Sequence, residues 1–361
     1  RKGKGIIETA AERKAMCDPE ACVDYAFHCI ITDLNGGTLL DEFADAVAYG
    51  ITSFKCFLVY KKEGMMVDDG TLVKILLKAK EVGAITNIHA ENPDLIDLYT
   101  EQFLKEGKTS AWYHYLSRPE FVEAEADKRA VHWAKSVEAP LYLVHMADKE
   151  GLEAAVAAKA EGHEIYVETC PQYLEFTCDV YKREDGRNFV CSPPMKGPES
   201  RDALWEAVKV GAVDTVATDH CPFQSYEKDW GRDDFTKIPN GCAGVENLYP
   251  YMLSAANDGI ISFNRAVELC STNPARIFGC TRKGSLTVGK DADIVIYDPK
   301  KDFTISVKNM HSDYDHTIWE GKTVHGYPVQ TYVRGKLVYD DGNFTGEPGF
   351  GQFVRREPRK K

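Results

Sequence analysis

The sequence lacks any run of about 20 apolar residues, the length that a helix needs to cross a membrane. Positive charge is also scarce, because 44 Lys and Arg residues stand against 56 Asp and Glu residues and leave a formal net charge of −12. This imbalance argues against nucleic acid or an anionic membrane as a partner. With 43% hydrophobic and 28% charged residues over 361 positions, the composition is that of a globular protein with one large or two medium domains.

Cysteine pairs of the Cys-x-x-Cys type are missing, although the chain has eleven cysteines. A zinc site made of thiolates is therefore not expected. In a chain of this length we expect the thiols to be reduced and mostly buried, as in a cytoplasmic protein. No Gly-rich dinucleotide fingerprint and no P-loop follows a strand-like run, which disfavours a doubly wound nucleotide-binding sheet.

Six apolar runs have the length of buried strands. They are "YAFHCIIT" (25–32), "ITSFKCFLVY" (51–60), "AITNIHA" (84–90), "PLYLVHM" (140–146), "EIYVETC" (164–170) and "VDTVATD" (213–219). Amphipathic helix patterns separate them, most with a Gly at the stop. Strands that are apolar throughout suit a parallel sheet covered on both faces. This repeated alternation predicts an α/β fold, either a (β/α) barrel or a doubly wound sheet.

The absence of nucleotide motifs favours the barrel, so the predicted architecture is a (β/α)8 TIM-like barrel with a small β-sandwich domain. A barrel needs eight strands, and only six precede the change of texture near residue 283. We expect residues 1–283 to form a barrel catalytic domain that is N-terminally incomplete, with its first two strands missing from this chain. Residues 284–361, with short alternating strands, are expected to be the C-terminal part of the sandwich plus a solvated tail, "RREPRKK".

Four polar residues stand near the carboxyl ends of four predicted strands, where the chemistry of such barrels lies. They are Lys55, His89 in "IHAEN", His145 in "LVHMAD" and Asp219 in "ATDHCPF". A single strand histidine is more often a satisfied core residue than a ligand. Two histidines and an aspartate from separate strands, converging at one mouth, predict a metal site.

Lys55 lies inside the apolar stretch "GITSFKCFLVYKK", where burying an ammonium is costly unless it is paired or loses its charge. A desolvated lysine can become a neutral nucleophile. Reaction with CO2 would convert it to a carbamate, whose two oxygens could bridge two metal ions. The alternative is a lysine whose stem packs in the barrel while its head reaches solvent.

At these residues the sequence resembles the dihydropyrimidinase/D-hydantoinase family of cyclic amidohydrolases. The similarity runs from about residue 38 to the C-terminus. It is carried by "GITSFKCFLVYK", "AKEVGAITNIHAEN", "LYLVHMADKEG", "VETCPQYL", "CSPPMKGP", "TVATDHCPF", "DFTKIPNG", "STNPARIFG" and "KGSLTVGKDADIVIYDP". The blocks "DFTKIPNG" and "ETCPQYL" are specific to this branch, whereas the last block is shared more widely among amidohydrolases.

The resemblance implies two divalent metal ions, zinc with manganese as the alternative, bridged by a carboxylated Lys55. By position, His89 and His145 match ligands of the second metal, and Asp219 matches the metal-bound general base. The family's first strand also carries a His-x-His pair for the other metal, and no His-x-His occurs in this sequence. This departure agrees with two absent strands, so we expect the chain to be a fragment; the alternative is a half-built site.

Three further residues match those that hold the ring amide in the family: Tyr60, Ser192 and Asn240. Tyr60 also matches the donor to the developing oxyanion. Structural explanations are open for all three, namely a strand-end core aromatic, a turn residue before two prolines, and the Asn-Gly of a tight turn.

The predicted function is metal-dependent hydrolysis of the cyclic amide bond of dihydropyrimidines or 5-substituted hydantoins, giving N-carbamoyl amino acids. The blocks "SPPMKGP" and "NGCAGVE" leave open an allantoinase-like hydrolase of cyclic ureides. A non-enzymatic scaffold protein of the same fold is the third possibility. The expected partner is a small-molecule cyclic amide, and the resemblance implies a homo-oligomer, commonly a tetramer.

Overall fold

The six predicted strands form one parallel sheet in the computed structural model of the protein, which describes residues 3–360. The strands pair in chain order, from β1 to β6. They are β1 (Cys29–Ile30), β2 (Ser53–Phe57), β3 (Ile85–His89), β4 (Leu141–Leu143), β5 (Ile165–Thr169) and β6 (Thr215–Val216). Most side chains of β2, β3 and β4 are buried, which explains their continuously apolar sequences.

Helices connect and cover these strands. In chain order they are α1 (Ile6–Cys17), α2 (Phe43–Tyr49), α3 (Asp69–Glu81), α4 (Pro93–Lys105), α5 (Ala111–Leu116), α6 (Glu120–Ser136), α7 (Lys149–Ala160), α8 (Pro171–Glu175), α9 (Pro198–Val210), α10 (Ser225–Lys228), α11 (Leu248–Asn257), α12 (Phe263–Val267) and α13 (Asn273–Phe278). α3 shows how the sequence sets the bounds: the Asp68 carboxylate accepts a hydrogen bond from the Thr71 N–H at 2.7 Å, and Lys78 and Lys80 occupy the last turn.

The expected count of six barrel strands is confirmed, and the parallel α/β architecture is the TIM-like one. Within residues 3–360, β1 and β6 pair on one side only. The run "YAFHCIIT" contributes fewer strand residues than predicted. Tyr25 instead forms a bridge with Phe353 from the end of the chain.

The C-terminal module is antiparallel, as the alternating pattern predicted. Four strands, in the order β12-β11-β10-β7, form one sheet, and β8 and β9 form a second. These strands are β7 (Ile294–Asp298), β8 (Phe303–Thr304), β9 (Thr323–Val324), β10 (Tyr327–Val333), β11 (Lys336–Asp340) and β12 (Asn343–Phe344). The domain boundary at residues 283/284 stays a prediction.

The basic tail is only partly solvated, since Arg355, Glu357, Pro358 and Lys360 are exposed but Arg356 is buried, and its final residue lies outside the described range. Arg356 is 4% exposed, and its N–H donates to the Gly50 carbonyl at 3.2 Å. Its guanidinium donates to the Phe27 carbonyl, and Arg359 forms an ion pair with Glu164 at 2.6 Å. The tail thus crosses the amino ends of the barrel strands. Backbone carbonyls there accept hydrogen bonds from the tail, and the Glu164 carboxylate pairs with Arg359.

All eleven cysteines are free, in agreement with the predicted reduced state. Five are buried, five are partly exposed and Cys221 is exposed, so the expectation of mostly buried thiols is only half met. Among residues 3–360, no helix combines the length and the apolar character needed to span a bilayer.

Candidate active site

The four predicted metal-binding residues all lie toward the carboxyl ends of the parallel strands. His89 ends β3, and Lys55 lies two residues before the end of β2. His145 comes two residues after β4, and Asp219 comes three residues after β6. Because the register pairs Phe57 with His89, these ends share one edge of the sheet.

His89 and His145 form the centre of this site. Their rings lie 4.5 Å apart at an angle of 74°, and each residue is 3% exposed. Burial, the neighbouring His89 and Lys55 hold the pKa of His145 well below its usual range. In the described part of the chain, its buried Nδ1 has no hydrogen-bond partner. A neutral imidazole with a free ring nitrogen is the state that binds a metal ion.

Glu91 orients His89 and was missed in the sequence, although it stands in the block "IHAEN". Its Oε2 lies 2.9 Å from His89 Nε2, and its Oε1 lies 3.5 Å from Arg118 Nε. Burial alone would raise the pKa of Glu91, but the His89 hydrogen bond, Arg118 and Lys196 lower it to about 2. A carboxylate on one ring nitrogen fixes the tautomer and leaves the other nitrogen for a metal.

Lys55 has no ion pair or hydrogen bond within the described part of the chain. Its Nζ lies 5.1 Å from the Phe57 ring centroid. The Lys55 charge lowers the pKa of His145 and that of Glu168. Glu168 is a second acid that was missed in the sequence. Burial raises the pKa of Glu168 to about 7, while Glu168 accepts hydrogen bonds from the Tyr142 hydroxyl at 2.6 Å and the His145 N–H at 3.1 Å.

Three of the predicted site residues adopt left-handed backbone conformations. The φ angles are +64° for Tyr60, +42° for His145 and +46° for Asp219. Such conformations are uncommon outside glycine, cost about 1–3 kcal/mol each, and cluster at functional sites. The strain supports a functional interpretation of these strand ends.

The three predicted amide-binding residues are brought together. The Asn240 side-chain amide donates to Ser192 Oγ at 3.0 Å, and the Ser192 side chain interacts with the Tyr60 hydroxyl. The Tyr60 ring lies 5.3 Å from the His89 ring, next to the histidine pair. Residues that are far apart in sequence thus form one polar patch beside the candidate metal ligands.

Carboxylates also cluster in two places outside this set. One group contains Asp24, Asp291 and Asp293, and the other contains the buried Glu123, Asp127 and Asp148. In each group, one carboxylate oxygen of every residue lies within 4.8 Å of those of the other two. Within residues 3–360, the predicted histidines and Asp219 do not form a cluster of that closeness. The predicted residues still fit a metal centre, because within residues 3–360 the buried Nδ1 of His145 has no hydrogen-bond partner and the half-buried Lys55 pairs with no carboxylate.

The Amidohydrolase family profile matches residues 39–338. The chain is 40% identical to the D-hydantoinase of Ralstonia pickettii over 366 residues, covering 100% of this chain and 79% of that protein. It is 40% identical to the D-phenylhydantoinase of Escherichia coli O1:K1 / APEC over 343 residues, covering 94% and 74%. The crystal structure of dihydropyrimidinase from Brevibacillus agri NCHU1002 superposes with a TM-score of 0.97 at 39% identity, covering 100% of this chain and 79% of that one.

These similarities extend over the barrel, the candidate site and the C-terminal module. Membership of such a family implies a binuclear metal centre, in agreement with the ligand types at the strand ends. The chain belongs to the amidohydrolase family, in the branch of the D-hydantoinases and dihydropyrimidinases.

Proposed function

We propose that this protein hydrolyses the amide bond of a dihydropyrimidine or a 5-substituted hydantoin to give an N-carbamoyl amino acid. The observation that carries the proposal is the polar patch of Tyr60, Ser192 and Asn240 beside the rings of His89 and His145. Hydrogen-bonding groups beside candidate metal ligands suit a small polar ring. The names of the relatives, D-hydantoinase and dihydropyrimidinase, support the same reaction.

Lys55, His89, His145 and Asp219 would supply ligands to a centre of two divalent cations, zinc or alternatively manganese, although the His-x-His pair that the family uses for one of them is absent from this sequence. When bound, such ions polarise a carbonyl group and lower the pKa of water towards 7. The neutral amine of Lys55 would add to the carbon of CO2 and lose a proton, giving a carbamate with two ligand oxygens. Within residues 3–360 no carboxylate pairs with Lys55. A carbamate carries no positive charge and needs no such partner, which supports this modification.

The protein's own groups then have distinct tasks. Asp219 takes a proton from the attacking water and passes it to the leaving ring nitrogen. Tyr60 donates a hydrogen bond to the carbonyl oxygen as negative charge develops on it. Burial raises the pKa of Tyr60, so its phenol keeps the proton that this donation requires. Ser192 and Asn240 hold the ring amide.

Three broader expectations accompany this function as predictions. We expect a cytoplasmic protein, a homotetramer, and a division into a barrel domain at 1–283 and a smaller domain at 284–361. Light scattering of the purified protein measures the assembly, and limited proteolysis locates the domain boundary.

The test compares hydrolysis of dihydrouracil, 5-phenylhydantoin and allantoin by protein supplied with zinc and bicarbonate. We expect the first two rings to open only slowly, because the His-x-His pair is absent, and the Asp219→Asn variant to bind metal without turnover. Preference for allantoin would favour the allantoinase alternative. Absence of both metal and hydrolysis would favour either the scaffold alternative or a half-built site without the His-x-His pair. Activity of Asp219→Asn near that of the wild type would refute the assigned base.

A further inference from the structure

Lys228 is a fully buried lysine that the proposed reaction does not use. It ends α10 and is 0% exposed. Its ammonium donates to three backbone carbonyls: Val190 at 2.9 Å, Pro239 at 2.7 Å and Gly241 at 2.7 Å. An ammonium has three N–H donors, so its hydrogen-bonding capacity is filled. Within residues 3–360 no carboxylate forms an ion pair with it, and the charge is balanced by carbonyl dipoles.

These three carbonyls come from two separate loops that carry amide-binding residues. Val190 lies two residues before Ser192, and Pro239 and Gly241 flank Asn240. The loops are also joined directly, because the Gly241 N–H donates to the Val190 carbonyl at 2.9 Å. The Lys228 ammonium therefore joins the two loops that carry the Ser192–Asn240 hydrogen bond.

Removing this cation would take one donor from each of the three carbonyl oxygens, and the Val190 oxygen would keep only the Gly241 N–H. Buried carbonyls that point toward one another repel and pay the full cost of desolvation when unpaired. The two loops would have to separate or admit water, and either change would move Ser192 relative to Asn240. Lys228 thus holds Ser192 and Asn240 at a fixed distance. The backbone hydrogen bond between the two loops would hold this distance less firmly by itself.

The helix that presents Lys228 is itself anchored to the C-terminal module. The Gln224 side-chain amide donates to the Asp313 carbonyl at 2.9 Å, and the Ser225 N–H donates to Asp315 Oδ1 at 2.8 Å. The four-residue helix α10 therefore connects the C-terminal module, which binds its start, to the two loops, which bind Lys228 at its end.

We propose that Lys228 is a positioning residue that clamps the two substrate loops and sets the spacing of Ser192 and Asn240 for a cyclic amide. This inference rests on the proposed function for its kinetic consequence, but not for the clamp itself. Lys228 does not touch the reacting atoms. Its loss is expected to weaken ring binding while metal binding stays intact.

The test uses Lys228→Met, which keeps the stem and removes all donors, and Lys228→Gln, which keeps an amide donor. Hydrogen exchange is followed in peptides covering 187–193 and 238–242, and KM and kcat are measured with 5-phenylhydantoin. We expect faster exchange in both loops and a KM raised about tenfold or more in Lys228→Met, with a smaller change in kcat. Lys228→Gln should lie between this variant and the wild type.

Lys159→Met is the control for losing a lysine at the other end of the sheet, because Lys159 Nζ donates to the Ala212 carbonyl at 2.7 Å and pairs with Asp214 at 2.7 Å, both before β6. It should leave both substrate loops and KM unchanged. Unchanged exchange in the two loops of either folded Lys228 variant would overturn the clamp. Faster exchange with unchanged KM would overturn the role in ring binding. A wild-type protein that opens no ring would refute the proposed function, and the clamp is then judged by exchange alone.

Discussion

At the scale of single residues, the main consequence of the structure is that His89 depends on Glu91. The Glu91→Gln variant should weaken zinc binding by about 10- to 100-fold, because the imidazole loses the carboxylate that orients it. Zinc affinity is measured by competition with a chromophoric chelator. Glu81→Gln, on the exposed end of α3, is the control and should bind zinc as the wild type does. Equal affinities of Glu91→Gln and wild type would show that the pair does not orient the ligand.

Lys55 provides a second test at this scale. The Lys55→Ala variant should lose most of its metal, because the bridging group is absent, and short carboxylic acids should restore part of it. Metal per chain is measured by plasma mass spectrometry with and without added propionate. Full metal retention in Lys55→Ala, with no response to the acid, would contradict the carbamate and favour a lysine whose head reaches solvent.

At the scale of elements, α6 and α7 bring three carboxyl groups together in the interior. Glu123, Asp127 and Asp148 are at most 3% exposed, and Lys196 Nζ lies 3.2 Å from Glu123. Burial raises the pKa of Asp127 well above its usual range, with the neighbouring Glu123 and Asp148 adding to the effect. Burial also raises the pKa of Asp148 to about 6. The folded protein therefore keeps protons that the unfolded chain would release.

This arrangement predicts a pH dependence of stability. The protonated carboxyl groups favour the folded state, because their pKa values are higher there than in the unfolded chain. Their contribution to the free energy of unfolding is complete below the unfolded pKa of about 4 and is lost as the pH rises through the folded pKa values. Asp127→Asn mimics the protonated acid, so its melting temperature should exceed that of the wild type at pH 8, with the difference shrinking towards pH 4. Calorimetry across this range measures it, with the exposed Glu153→Gln on α7 as control. A difference independent of pH would contradict the predicted protonation.

At the scale of the whole molecule, Lys283 joins three regions of the chain. Its Nζ lies 2.5 Å from Asp24, 3.1 Å from Asp291 and 2.7 Å from Asp293. Asp24 precedes β1, whereas Asp291 and Asp293 precede β7. The aspartate cluster with metal-like spacing is thus already neutralised in part by a lysine, which connects the start of the barrel to the C-terminal module.

The Lys283→Met variant should lower the free energy of unfolding by ~2 kcal/mol, because three carboxylates lose one charged donor, while Arg334 still pairs with Asp24 and Arg282 with Asp291. The melting temperature should fall by several degrees. Lys290→Met is the neighbouring control, since Lys290 Nζ donates to the Thr281 carbonyl and forms no ion pair within residues 3–360. Equal melting temperatures of Lys283→Met and wild type would show that solvent replaces the lysine at no cost.

The sequence by itself determined the order of strands and helices, because continuous apolar runs and helical periodicity are local properties that survive in the folded sheet. It also singled out Lys55, His89, His145 and Asp219 as candidate metal ligands, since polar residues at the ends of apolar strands can be recognised without coordinates. The carboxyl ends of parallel strands meet at one edge, which makes such residues neighbours.

Only the tertiary structure decided how those residues are supported. Glu91, Glu168 and Lys228 stand in sequence like ordinary polar residues, and their roles follow from contacts and burial in the fold. The same holds for the left-handed backbone at Tyr60, which no side-chain pattern reveals. Arg356 in the tail looks solvated in the sequence but is buried, because carbonyls from distant segments accept its hydrogen bonds. The reason is physical: hydrogen bonding and charge burial depend on distances between segments, and local sequence does not contain those distances.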